Sequence, residues 1–229
     1  MSRLFARRRL LAVGLAIALA SPLATSAATA ADGGFETLRK GDSGPRVLLA
    51  QRVLDVDPRT GSFNDKTKRA VRQFQDRRNF DVTGIINERT YSALQKRWES
   101  IQEARAKIDR KYSRIMKVAR NQKGDPYRYG AAGPNAFDCS GLTMYVYKQA
   151  TGRNLQHLAT AQFRAGERIS RKQARPGDLV FMHNNGDIYH ASIYAGHGEI
   201  IHAGRTGTNV QRDPIWTSSV YFARLLPKK

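Results

Sequence analysis

One cysteine, Cys139, and two histidines, His190 and His202, are the side chains of this 229-residue chain whose types and setting could do covalent chemistry. Cys139 stands in Asp138-Cys139-Ser140-Gly141, after the Gly-rich stretch Gly130-Ala131-Ala132-Gly133-Pro134 and ahead of Leu142, Tyr145 and Val146 at helical spacing. That pattern predicts a helix that begins at the cysteine. Free backbone N–H groups and the helix dipole favour an anion at such a start, so the thiol is expected to have a lowered pKa and to be a nucleophile at neutral pH.

A thiol nucleophile needs a base, and the base needs an orienting group. Ile188 to Ala195 alternates as a strand, placing His190, Ser192 and Tyr194 on one face and Ala191, Ile193 and Ala195 on the other. Gly196-His197-Gly198 predicts a hairpin turn, with Glu199-Ile200-Ile201-His202-Ala203 as the return strand. A hairpin centred on residue 197 pairs Ser192 with His202 and makes His190 and His202 diagonal neighbours on one face. One imidazole could then orient the other, giving a Cys-His-His set in which Cys139 attacks a carbonyl, His190 moves the proton and His202 fixes its tautomer. A Cys-His-His metal site is the competing reading, though no fourth ligand has a recognisable spacing. His157, His183 and His197 carry no signal above that of surface or loop residues.

These groups need elements to hold them. The chain is 41% hydrophobic and 25% charged, with ordinary Gly and Pro counts, which excludes disordered and collagen-like classes and leaves room for one large or two small domains. With a single cysteine, no intramolecular disulfide and no CxxC zinc cluster can form. Lys and Arg number 39 against 19 Asp and Glu, a net charge of +20 that points to a polyanionic partner. Arg3, Arg7, Arg8 and Arg9 precede the apolar run Leu10 to Ala20, and Ala28-Thr29-Ala30 offers a small-x-small cleavage site. Residues 1–30 therefore read as a secretory signal, with both the general and the twin-arginine routes open, and the run is short for a membrane span. An exported chain points away from nucleic acid and toward an envelope polyanion such as teichoic acid or anionic lipid heads.

After a small polar leader at 31–37, three Gly-rich turns separate three short helical patterns over 38–94. Gly41-Asp42-Ser43-Gly44-Pro45 opens the first, Gly61-Ser62-Phe63-Asn64-Asp65 the second and Asp81-Val82-Thr83-Gly84, through Asn87, the third. Residues 95–112 have no Gly or Pro and predict a linker helix. It runs into a helix with Ile115, Val118 and Ala119 that should stop near Gly124-Asp125-Pro126.

Leu38-Arg39-Lys40-Gly41-Asp42-Ser43-Gly44, Gln51-Arg52-Val53-Leu54, Phe63, Thr67, Ala70-Val71, Phe74-Gln75, Gly84 and Thr90-Tyr91-Ser92-Ala93-Leu94 resemble the small three-helix peptidoglycan-binding module of cell-wall hydrolases. Further on, Gly124-Asp125-Pro126-Tyr127-Arg128-Tyr129-Gly130, Phe137-Asp138-Cys139-Ser140-Gly141-Leu142, Arg175-Pro176-Gly177-Asp178-Leu179-Val180-Phe181, His190-Ala191-Ser192-Ile193-Tyr194-Ala195-Gly196 and Ile201-His202-Ala203 resemble the NlpC-type cell-wall cysteine peptidase domain, over 113–229. The second resemblance implies an α+β, papain-like fold with the nucleophile helix packed on an antiparallel sheet, and no metal or cofactor. By motif position it implies Cys139 as nucleophile, His190 as base and His202 as orienting residue. Tyr127, Asp138, Ser140 and Ser192 become oxyanion or substrate-binding candidates, with the Cys139 N–H as an oxyanion donor. The resemblance further implies cleavage of peptidoglycan stem peptides between D-glutamate and the diamino acid that follows, in a secreted, wall-associated monomer; amidase activity on the same fold and a silent wall-binding protein are the alternatives. Gln156-His157-Leu158-Ala159 departs from the family's Pro-Arg followed by two hydroxyl residues.

Overall fold

Two asparagines and two buried glutamines organise the N-terminal helices. Pro45 occupies the first turn of α1 (Pro45–Val53), where a missing N–H leaves nothing unpaired. Asn64 opens α2 (Asp65–Asp76) by accepting from the Thr67 N–H at 3.0 Å, and Asn87 opens α3 (Glu88–Asn121) by accepting from the Thr90 N–H at 2.9 Å. Ahead of each cap a glutamine pins the turn. Gln51 Oε1 accepts from the Gly61 N–H and its Nε2 donates to the Ser62 carbonyl; Gln75 does the same with Gly84 and Ile85. Gln, Gly, Asn and Thr recur in that order, as Gln51, Gly61, Asn64 and Thr67 and then as Gln75, Gly84, Asn87 and Thr90. The helical module is thus one turn-and-helix unit used twice, closed over Val47, Val71, Phe74, Ile86 and Leu94.

The structure, a computed structural model, describes residues 34–227, so the expected export signal and the first three residues of the leader lie outside the described residues. From Thr37 onward the chain forms one compact unit. The segment 95–112, expected as a linker helix running into the next helical pattern, is helical and forms the middle of α3, which runs through 34 residues without interruption. No Gly or Pro stands between Glu88 and Asn121, so nothing stops the helix before the expected Gly124-Asp125-Pro126 signal. Its first turns belong to the N-terminal module, while Tyr112, Ile115, Met116 and Ala119 are buried in the core of the C-terminal domain.

That domain is α+β. Helices α4 (Cys139–Thr151) and α5 (Ala159–Arg164) precede and flank a six-stranded sheet of β1 (Glu167–Ile169), β2 (Leu179–Asn184), β3 (Asp187–Gly196), β4 (Glu199–Ala203), β5 (Val210–Pro214) and β6 (Val220–Arg224). The strand order is β1-β6-β2-β3-β4-β5, antiparallel throughout. Leu142, Val146 and Tyr147 of α4 pack with Phe181, Ala191, Ile193 and Ile201 on one face of the sheet. Val180, Met182, Tyr194, Ile200 and Phe222 form a second core on the other face, so β3 is buried on both sides from His190 onward. The β3–β4 hairpin pairs Ile193 with Ile201 and Tyr194 with Ile200, the register expected from a centre at 197. His197 and Gly198 make its turn with φ of 54° and 79°, the left-handed pair that suits the twist of a two-residue hairpin. Among the described residues no helix is long and apolar enough to cross a membrane.

One glycine is required by close approach. A Cβ on Gly141 would lie 2.1 Å from the Ala131 carbonyl oxygen, because the loop before the cysteine folds down onto the first turn of α4. The Asp138 N–H donates to that same carbonyl at 2.8 Å. Gly141→Ala must therefore displace backbone, and we expect it to cost about 3 kcal/mol of stability by chemical denaturation. An unchanged unfolding midpoint would mean that the loop yields freely.

Candidate active site

Asp138 caps α4, placing Cys139 at the first helical position as its sequence context predicts. The carboxylate Oδ1 accepts from the Gly141 N–H at 2.6 Å and the Ser140 hydroxyl at 3.2 Å, and Oδ2 accepts from the Gly130 N–H at 3.0 Å. His157 Nε2 lies 2.8 Å from each of the two oxygens. Asp138 is buried and fully engaged, and Ser140 is buried with it. His157, which the sequence left as an ordinary loop residue, is part of this cluster.

The expectation of an acidic thiol is corrected by burial. Desolvation pushes the Cys139 pKa up and the Asp138 charge adds to it, while the backbone N–H groups of Ala191, Ser140 and Cys139 itself pull it part of the way back. The helix start does act on the sulfur, and it is outweighed. Ala191 follows His190 on β3, so its amide brings the thiol to the strand that carries the expected base. Tyr127 is close enough that the Cys139 and Asp138 charges, after burial, raise its phenol pKa.

His190 and His202 meet as the hairpin register requires. His190 Nε2 lies 3.0 Å from His202 Nδ1, with the rings edge to face at 87°. His202 Nε2 in turn lies 3.0 Å from Asp213 Oδ2 on β5. The Trp216 ring covers both imidazoles, its centroid 5.7 Å from His190 and 5.1 Å from His202, while the residue stays 52% exposed. Asp213 and Trp216 were missed by sequence reasoning. The only signal for Asp213 was a short polar alternation, Gln211-Arg212-Asp213, after the second histidine strand. Ser192, expected beside the substrate, is instead fully buried, and its hydroxyl donates to the Val180 carbonyl at 3.0 Å, tying β3 to β2.

The metal reading of these residues meets a chain of hydrogen bonds, since the facing nitrogens of the two imidazoles bond each other rather than a common point. No group of three or more His, Cys, Asp and Glu side chains among the described residues is arranged to hold a metal ion.

Burial, and then the neighbouring His202, push the His190 pKa down to about 3. At neutral pH Cys139 is therefore a thiol and His190 an uncharged imidazole. The acid limb of kcat/KM should lie well below the ordinary imidazole range and the alkaline limb above the ordinary thiol range, giving a broad plateau. A limb near pH 6.5 in a pH–rate profile would contradict this. Because the folded His190 pKa is depressed, its contribution to stability is complete above the unfolded value and is lost as pH falls from about 6.5 toward 3.

Two family models match the chain. Residues 44–94 match the peptidoglycan binding domain family, and residues 124–225, which hold Cys139, His190 and His202, match the NlpC/P60 family. The chain belongs to the NlpC/P60 family. The helix that carries the cysteine, packed on an antiparallel sheet, is the papain-like arrangement of the NlpC/P60 domain. Over 97 residues, 42% of the chain, it is 47% identical to Protein P54 of Enterococcus faecium, and over 99 residues, 43% of the chain, it is 40% identical to Probable endopeptidase p60 of Listeria grayi. Each match spans 19% of the relative's own length. The crystal structure of the NlpC/p60 domain of peptidoglycan hydrolase SagA is 38% identical, covering 49% of this chain and 97% of that one, with a TM-score of 0.47.

Proposed function

We propose that the chain is an exported peptidoglycan hydrolase, a cysteine endopeptidase that cuts stem peptides between D-glutamate and the following diamino acid. The observation that carries this reading is His190, bonded to His202 of β4, on the strand β3 whose Ala191 amide reaches Cys139 at the start of its helix. In the proposed cycle His190 takes the thiol proton as the sulfur attacks the D-glutamyl carbonyl carbon, and the oxygen that gains charge is met by the Cys139 N–H. Collapse breaks the C–N bond, the amine leaves with the proton from His190, and a thioester remains. Water then gives a proton to His190 and attacks the thioester, and the sulfur departs and recovers that proton, freeing the acid. The module over residues 44–94 would hold the enzyme on peptidoglycan and raise the local concentration of stem peptides. The basic charge suits a chain working among anionic wall polymers.

Mass spectrometry of muropeptides incubated with the protein, beside a Cys139→Ala control, tests the proposal. Fragments split after D-glutamate and absent from the control are expected. Free sugar with an intact stem peptide would make the protein an amidase, and no cleavage would leave it a wall-binding protein.

A further inference from the structure

The hydrogen-bond chain does not stop at the two histidines, and the direction of its protons can be deduced from its far end. A carboxylate only accepts hydrogen bonds, so the contact at 3.0 Å between Asp213 Oδ2 and His202 Nε2 places a proton on that nitrogen. A neutral His202 then presents Nδ1 as a lone pair, and the 3.0 Å contact with His190 Nε2 requires His190 to donate there. His190 Nδ1 is left as the lone pair of the imidazole pair that no protein donor among the described residues occupies.

We infer that Asp213 is a positioning residue whose carboxylate, at the end of the His190–His202 chain, sets the tautomer of both imidazoles and so presents His190 Nδ1 as the free base. The inference rests on the proposed cysteine-peptidase reading for its catalytic consequence, but not for the tautomers themselves.

Strand pairing supports the role. β5 pairs with β4 so that Gln211 faces His202 and Asp213 faces Ile200, which brings the carboxylate diagonally beneath the His202 ring. Gln211 Nε2 donates to the same Oδ2 at 2.5 Å and holds the carboxylate in place. The Asp213 side chain is about one-third exposed, against 5% for His202, so the carboxylate keeps enough water to stay ionised at the rim of a dry pair. The His202 bond, ahead of Gln211, holds its pKa below the usual carboxylate value. The other charged groups near it on β4 and β5, Glu199 and Arg212, are paired with each other. The Trp216 ring that lies over both imidazoles is uncharged.

Without the carboxylate the chain can run in reverse. His202 would carry its proton on Nδ1 and donate to His190 Nε2, the His190 proton would move to Nδ1, and no lone pair would remain to receive the thiol proton. Asp213→Ala should divide the protein between the two arrangements. In Asp213→Asn the amide can accept or donate and has no charge to stabilise an imidazolium. We expect each variant to lose kcat by about tenfold or more, with KM within about twofold. The acid limb of the Asn variant should move to lower pH, because a lost negative charge makes the imidazole pair harder to protonate. Asp213→Glu should recover part of kcat.

The decisive readout needs no turnover: long-range 1H–15N correlation spectra of the 15N-histidine-labelled protein. In the unsubstituted protein both His190 and His202 should appear as Nε2–H tautomers, and in Asp213→Ala a mixed or reversed pattern should appear for both. Unchanged tautomers in the Ala variant, or a kcat and acid limb unmoved in the Asn variant, would overturn the assignment. Cleavage that survives Cys139→Ala would sink the cysteine-peptidase reading instead, leaving the tautomer result to stand.

Discussion

Exchanging Cys139 for alanine, His190 for alanine, and both together should give three proteins with the same residual rate, each lower by about 10³-fold or more. The equality follows from the electrostatics of the site. Burial holds the Cys139 thiol protonated at neutral pH, so the sulfur does not ionise on its own when the imidazole is gone. Conversely, an uncharged His190 with no thiol to deprotonate has nothing to activate. In the proposed cycle one proton passes between the thiol and the imidazole, so the two groups act as a unit, and removing either removes the whole contribution. The measurement is kcat/KM on a defined stem peptide for the two single variants and the double, with thermal unfolding to show that each is folded. If the double loss were instead the product of two smaller losses, the groups would be acting independently and the shared-proton picture would fail. An enzyme that kept its cysteine as a preformed thiolate would show a milder His190→Ala effect, so the size of that single loss separates the two states of the thiol.

Local signals made part of this site legible. The helix start at Cys139 could be read because Asp138 is a capping residue and because Leu142, Tyr145 and Val146 follow at helical spacing, features contained within nine residues. The pairing of His190 with His202 could be read because a hairpin of known centre fixes which side chains oppose one another. Neither signal reports on depth. The thiol was expected to be acidic from its helix position, and its surroundings reverse that, since burial by α4 and β3 is a property of packing rather than of neighbours in sequence. Asp213 and Trp216 reach the histidines only through the pairing of β4 with β5, across an irregular loop that fixes no register. His157 reaches Asp138 from the segment after α4, nineteen residues away, and no periodicity connects the two. The continuity of α3 past residue 95 was legible in composition alone, since no Gly or Pro interrupts it.

Asp178→Ala should destabilise the C-terminal domain by about 3–5 kcal/mol, a large share of the about 5–15 kcal/mol that holds an ordinary domain together. The carboxylate is fully buried at the start of β2 and joins three elements. Its Oδ1 accepts from the Tyr112 hydroxyl of α3 at 2.7 Å, and Oδ2 accepts from Arg224 Nη2 of β6 at 2.8 Å and from the Arg175 N–H at 3.0 Å. Tyr112 stays a neutral donor throughout the working range, since burial and the Asp178 charge push its pKa up to about 12. Removing Asp178 would leave the Arg224 guanidinium, the Tyr112 hydroxyl and the Arg175 backbone N–H facing an empty acceptor position. The cost comes from stranding those partners more than from losing the bonds. Asp178→Leu combined with Arg224→Met should therefore recover much of the stability that either change alone removes. Urea midpoints of the two single variants and the double decide it: additive losses would show that Asp178 and Arg224 stabilise the domain separately, whereas recovery in the double would locate the cost in the uncompensated buried charge.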